Sequence, residues 1–334
     1  MTGDGNKMIK RAIYFLPLFL LLAACAAQPS AEPIAGTQVV IFQTATPSPT
    51  ATRLPFSPTP TIAPTRTPPP TLIADGELAA GDIFPAQDGG TLVFIPAGEF
   101  TMGADADDLL AVCQSFRSNC RREWFTNVEP QRTVNLDSFW IDQTEVTNKM
   151  YQACVQAESC APPFQASSST REKYYGNVKY DNHPVIYVSW EQAAAYCAWA
   201  GRRLPTEAEW EKAARGTDGR LFTWGDSFPA SKFLNYALQE GDTTAVKAYP
   251  RGASPYGVFD MAGNAWEWVA DWYDENYYKT APSVNPQGPA SGVDKVSRGG
   301  GWAYYDFDSF VTDRYGNYPL TTNNALGFRC ARDR

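Results

Sequence analysis

Apolar positions are distributed along this chain in several distinct ways, and each predicts a different structure. Near the start, "AIYFLPLFLLLAA" is an unbroken apolar run behind Lys7, Lys10 and Arg11 that stops at Cys25. A positive lead and a run too short to span a bilayer comfortably read as a targeting segment. Further along, "TLVFIPAG" is a short strand closed by a Pro/Gly turn, and "VNLDSFWIDQTEVT" predicts a strand near residues 134–141. Helical spacing appears in "NKMYQACVQ", where Tyr151 and Val155 are four apart. Two further helices are announced by capping boxes, Ser189 with Gln192 before "WEQAAAYCAWA" and Thr206 with Glu209 before "EAEWEKAARG". Gly201 and Gly216 close them. The first should bury Trp190, Ala194, Cys197 and Ala198, the second Trp210 and Ala214. Beyond residue 216 no period is sustained, and Gly, Pro, Asn, Asp and aromatic residues alternate irregularly. The expectation is an α+β domain of short helices and small antiparallel sheets joined by much irregular backbone.

Between Thr44 and Thr71 the pattern disappears into nine Pro and nine Thr in 28 residues. So little apolar area cannot offset backbone ordering, and an extended, semi-stiff spacer is expected. The chain therefore divides into a signal segment at 1–25, a spacer at 26–87 and one large domain at 88–334. "LAAC", Leu22 to Cys25, resembles the bacterial lipobox, which implies cleavage before Cys25 and acylation of that residue. A head held outward from a bacterial membrane, in the cell envelope, follows from these two segments. Of the 334 residues 44% are hydrophobic and 13% aromatic, ample for a sizeable core. The formal charge of -8 offers no basic footprint for nucleic acid.

Without Cys25, six cysteines remain, and an exported domain favours pairing them. Fifteen pairings are possible; local proximity favours Cys113 with Cys120 and Cys154 with Cys160, leaving Cys197 for Cys330. Zinc is disfavoured, because there is no CxxC spacing and His183 is the single histidine.

Six ordered stretches carry a family likeness: "IPAGEFTMG", "EVTNKMYQACV", "HPVIYVSWEQAAAYCAWAGRRLPTEAEWEKAARG", "YGVFDMAGNAWEWVADWY", "VSRGGGW" and "NNALGFRCARD". Together they resemble the sulfatase-modifying factor family, whose founding activity is formylglycine generation. The resemblance implies a modified C-type-lectin-like fold, a disulfide at Cys197 and Cys330, and structural calcium. It also implies a copper-binding cysteine pair five residues apart, which would fall on Tyr304 and Ser309. Copper(I) needs soft thiolates, and a phenol and an alcohol are neither. No copper is therefore expected, and the oxidase reading stands as the alternative to a ligand-binding module.

Two groups of residues are candidates for chemistry. In "AYYDFDSFVTDRYGNY", aromatic and acidic types fail to sort onto two faces of a strand. Tyr supplies apolar area with a polar tip, as recognition surfaces require. Tyr304, Tyr305, Asp306, Phe307, Asp308, Tyr315 and Asn317 are accordingly expected to contact a glycan, a peptide or an envelope protein; the plainer alternative is an aromatic core. In "DMAGNAWEW", Asn264 and Glu267 offer oxygens suited to calcium. By family likeness Gly263, Ala265 and Glu267 are the contacts, with Asn264 beside them. Asn235 and Tyr236 would form a second site, with Asp242 as a weaker candidate.

Overall fold

The computed structural model describes residues 78–227 and 231–334. The signal segment, Cys25 and residues 26–77 of the spacer lie outside the described residues. Among the described residues, three sheets and four α-helices make up the domain. The first sheet has the order β1 (Ile83–Pro85), β2 (Thr91–Ile95), β5 (Phe139–Asp142), β10 (Ala331–Asp333), with every pair antiparallel. A ribbon pairs β3 (Gly98–Met102) with β4 (Arg132–Leu136). The third sheet has the order β8 (Arg314–Asn317), β7 (Lys295–Arg298), β6 (Trp266–Trp272), β9 (Leu326–Phe328), and its β6–β9 pair is parallel. The α+β class with irregular connections is as expected; the parallel pair is an addition to it.

The expected strand at 134–141 is two strands, because Asp137 and Ser138 interrupt the pairing and the chain leaves β4 in the ribbon for β5 in the first sheet. The first sheet also begins at Ile83, ahead of the boundary at 88, since Phe84 packs on Trp140 with ring centroids 6.0 Å apart.

The helices are α1 (Ala106–Phe116), α2 (Asn148–Gln156), α3 (Trp190–Trp199) and α4 (Glu207–Arg215). Both capping boxes form, satisfying N–H groups that the helix cannot. Ala193, Tyr196 and Cys197 are the buried residues of α3; of the expected stripe Trp190 and Ala194 are half-buried against the same core, while Ala198 is exposed. Tyr196 is held there: its hydroxyl donates to Asp88 and its ring stacks on Tyr151. On α4 no polar face exists at all, for every residue of the helix is buried, including Glu207, Glu209, Glu211, Lys212 and Arg215. This helix packs against β3, β4, β6 and β7 and fills the middle of the domain.

All six cysteines of the domain are bridged, Cys113 with Cys120, Cys154 with Cys160 and Cys197 with Cys330. The last closes a sequence separation of 133 and ties α3 to the end of the chain. In the loop-closure view such a link contributes about 4 to 5 kcal/mol by restricting the unfolded chain.

Candidate functional site

Residues 299–313 leave β7 and return to β8 as a long loop over the third sheet. Arg298 closes its neck. The guanidinium donates to the carbonyls of Val311 and Thr312 and to Glu207 and Glu211 of α4. Arg314, at the other end of the loop, pairs with Glu207 at 2.6 Å. These charges are fully buried, so each is stable only because its partner is held in place. The charged residues of α4 thus serve as a rigid floor under the loop.

Above that floor a cavity of about 260 Å³ is lined by Trp266, Tyr304, Asp308, Tyr315, Asn317, Asn323 and Leu326. Trp266 meets Tyr304 edge to face, with centroids 5.6 Å apart, and Tyr315 at 6.3 Å. The indole Nε1 of Trp266 is buried without a hydrogen-bond partner. Asp308 accepts the Tyr305 N–H, and burial pushes its carboxyl up to about 6, with Asp306 adding to the rise and Arg117 opposing it. A second cavity of about 350 Å³ shares Asp308 and Tyr315 with the first and adds Trp124, Phe307, Asp294 and Asp313.

The seven expected contact residues divide. Tyr304, Asp308, Tyr315 and Asn317 converge on the first cavity. Tyr305, Asp306 and Phe307 do not: Arg117, inside the loop closed by Cys113 and Cys120, pairs with Asp306 at 3.0 Å and lies over the rings of Tyr305 and Phe307. Phe307 then stacks on Trp124 at 4.8 Å. These three brace the rim. Ser309, in the same loop, is buried. Trp266, Asn323 and Leu326 were missed by the sequence reading; Trp266 stands inside "GNAWEW", whose Asn264 and Glu267 carry the more obvious oxygen-ligand signal.

The expected calcium residues are also brought together, with a different division of labour. Gly263 has φ +76, and a Cβ there would lie 2.3 Å from the Asn235 carbonyl oxygen. Asn264, at φ +60, donates to Asn235 through its backbone and to Glu145 through its amide. Glu267 has both oxygens on Arg329 and accepts the Trp210 indole N–H as well. Ala265 is buried beside them and Tyr236 is largely buried next to Asn235. Asp242 is already saturated by Ser168, Thr170 and Thr243.

Two groups absent from the expected set matter here. Burial, with Asp260 and Glu267 nearby, pushes the Glu145 carboxyl well above the carboxylate range, and burial takes Asp260 up to about 6. Glu145 Oε2 and Asn235 Oδ1 are buried acceptors without a donor. Such orphaned oxygens in a region of excess negative charge fit a hard cation. Among the described residues, however, no three His, Cys, Asp or Glu side chains form a metal-ligand cluster.

Comparison with known proteins matches residues 80–334 to the sulfatase-modifying factor enzyme 1-like domain family. The formylglycine-generating enzyme of Streptomyces coelicolor is 34% identical over 72% of this chain and 88% of its own length. The inactive C-alpha-formylglycine-generating enzyme 2 of Mus musculus is 31% identical over 72% of this chain and 85% of its own length. Among solved structures, PvdO from Pseudomonas aeruginosa superposes with a TM-score of 0.61 and 25% identity, covering 77% of this chain and all of that one.

Proposed function

This chain belongs to the sulfatase-modifying factor family, and we propose that it is a lipid-anchored, extracytoplasmic ligand-binding module in which the family's oxidase floor has become a recognition pocket. The observation that carries this reading is the pair of side chains at the thiol positions. Tyr304 lines the cavity, Ser309 in the same loop is buried, and every cysteine among the described residues is in a disulfide. Neither an alcohol nor a phenol supplies the soft ligand that copper(I) requires. What remains is a concave, aromatic surface with polar groups, the usual character of a small-ligand site. Acylation at Cys25 would tether it, and the Pro/Thr spacer, at ~3.1 Å per residue when extended, would carry it clear of the membrane.

Calcium belongs to the same proposal as a structural ion. Asn235 Oδ1, the Glu145 carboxylate and the Asp260 carboxylate would hold it, and its positive charge would offset the unbalanced carboxylates around Arg329. Glu267 would act there mainly by fixing Arg329.

A second reading has the relatives' names behind it: a copper-dependent oxidase that converts cysteine of a target protein to formylglycine. One experiment separates the two. The mature protein is incubated with copper, oxygen and a cysteine peptide of the sulfatase type, and the peptide is weighed by mass spectrometry. An unchanged peptide is expected; loss of the thiol with gain of an aldehyde establishes the oxidase. Intact-mass analysis of protein from its native membrane tests the anchor, and an unmodified N-terminus beyond residue 25 would remove it.

A further inference from the structure

The first cavity has features that select a ligand class. Its three rings stand at angles to one another, 83° between Trp266 and Tyr304 and 51° between Trp266 and Tyr315, so they wall one space instead of stacking into a solid core. Aromatic faces grouped in this way attract a cation through their quadrupoles. Asp308 lines the same space and the neighbouring cavity, and Asp294 and Asp313 line the latter.

Among the described residues, the cations whose charge reaches those carboxylates are hydrogen-bonded elsewhere. Arg117 is committed to Asp306. Arg298 is committed to Glu207 and Glu211. Arg314 lines the second cavity, but its nitrogens are taken by Glu207 and by the carbonyls of Asn127 and Asp274. Among the described residues, Asp308 accepts the Tyr305 N–H and makes no ion pair, which leaves its carboxylate able to take a positive group from a ligand. The second observation is independent of charge. Trp266 is 5% exposed and its Nε1–H lines up with no acceptor in the protein. A buried donor left unmatched is costly, and Trp266 is a wall residue of this cavity that carries one.

We propose that the cavity formed by Trp266, Tyr304, Tyr315 and Asp308 receives an alkylammonium group, with the Trp266 indole N–H donating to a carbonyl or hydroxyl oxygen of the same ligand. This rests on reading the domain as a ligand-binding module and names what the module binds. The cation sits against the ring faces with Asp308 as its counter-ion. A lysine side chain in a peptide and a polyamine share this chemistry, and so does a methylated ammonium.

The test is calorimetric titration of the full mature chain with N-acetyl-lysine methyl amide, its Nε-trimethyl form and spermidine. N-acetyl-norleucine methyl amide and methyl glucoside are the uncharged controls. At least one cationic probe binds, and the controls do not. Tyr304→Leu and Asp308→Asn each weaken that binding by about tenfold or more, the loss of one cation–π contact or one charge-assisted hydrogen bond. Tyr304 is exposed and Asp308 half-buried, and a melting curve of each variant establishes that it is folded. Preference for the trimethyl form assigns the main attraction to the rings; preference for the primary amine assigns it to Asp308. Binding of a control with no response to the cations overturns the ammonium assignment and leaves the ligand-binding module standing. Unchanged affinity in both folded variants overturns the placement of the site. Formation of aldehyde on a cysteine peptide overturns the ligand-binding reading itself.

Discussion

Gly300 and Asp308 meet across the neck of the loop that walls the cavity: a Cβ at Gly300 would stand 2.5 Å from the Asp308 carbonyl oxygen. Gly300 also has φ +73, a conformation that L side chains rarely adopt. Both facts require glycine, and together they fix where the Asp308 side chain begins. Gly300→Ala is expected to destabilise the domain by about 2 kcal/mol or more, combining left-handed strain with a backbone clash. Urea denaturation measures this, and a loss below a few tenths of a kcal/mol would mean that the neck is not closed as described.

Arg298 holds the same neck from below, between Glu207, Glu211 and the carbonyls of Val311 and Thr312. Removing one partner from a buried ionic cluster strands the others. Arg298→Met should therefore cost about 3 to 5 kcal/mol. Pairing it with Glu211→Gln should recover part of that loss, because one stranded charge is removed with it. The double-mutant cycle by denaturant midpoint decides it; strict additivity would argue against the coupling.

With Asp308 as counter-ion, binding of a cationic ligand is expected to depend on pH. Its carboxyl lies at about 6 because burial disfavours the charged form, with Asp306 raising it, Arg117 lowering it and Asp313 and Tyr304 close by. A cation binds the ionised form, so affinity should rise with pH through 6 and level off above it. At pH 5 it should be about tenfold weaker than the plateau, since a single carboxyl titrating near 6 makes affinity fall tenfold for each pH unit below its midpoint. The sign for folding is the reverse. A folded-state value above the unfolded one means that Asp308 opposes folding most above pH 6 and least below the ordinary carboxylate range. Asp308→Asn should raise the melting temperature at pH 7.5 and lose that advantage near pH 4. A pH-independent affinity in the wild type would remove Asp308 from the site.

Calcium bound near Asn235, Glu145 and Asp260 would add stability by mass action, about 2.7 kcal/mol at a concentration one hundred times its dissociation constant. Chelator should lower the melting temperature and added calcium should restore it. Asn235→Ala, which removes the orphaned acceptor, should abolish that dependence. Identical melting curves with chelator and with millimolar calcium would exclude the ion.

Much of this fold was legible in the sequence because its signals are local. Ser189 with Gln192 and Thr206 with Glu209 are complete within one helical turn, and both formed. The two short disulfides close loops of separation 7 and 6, which chain proximity alone favours. The candidate cavity was legible only in part. Of the aromatic-acidic run, Tyr304, Asp308, Tyr315 and Asn317 line it. Yet Tyr305 and Phe307, neighbours of the same chemical type, are occupied by Arg117. Nothing within the run tells them apart, because Arg117 lies 189 positions from Asp306.

By itself the sequence determined the family likeness, the ends of α3 and α4, the class of fold and the absence of cysteine at residues 304 and 309. These depend on residue identity and on interactions between near neighbours, which the order of residues specifies directly. Only the tertiary structure decided which aromatics face the cavity, that α4 is buried on every side, and that Glu267 is matched by Arg329. Those outcomes are set by long-range contacts between charges and rings. Burial makes such contacts strong, and a buried charge whose partner lies 62 residues away has no signature in its own neighbourhood.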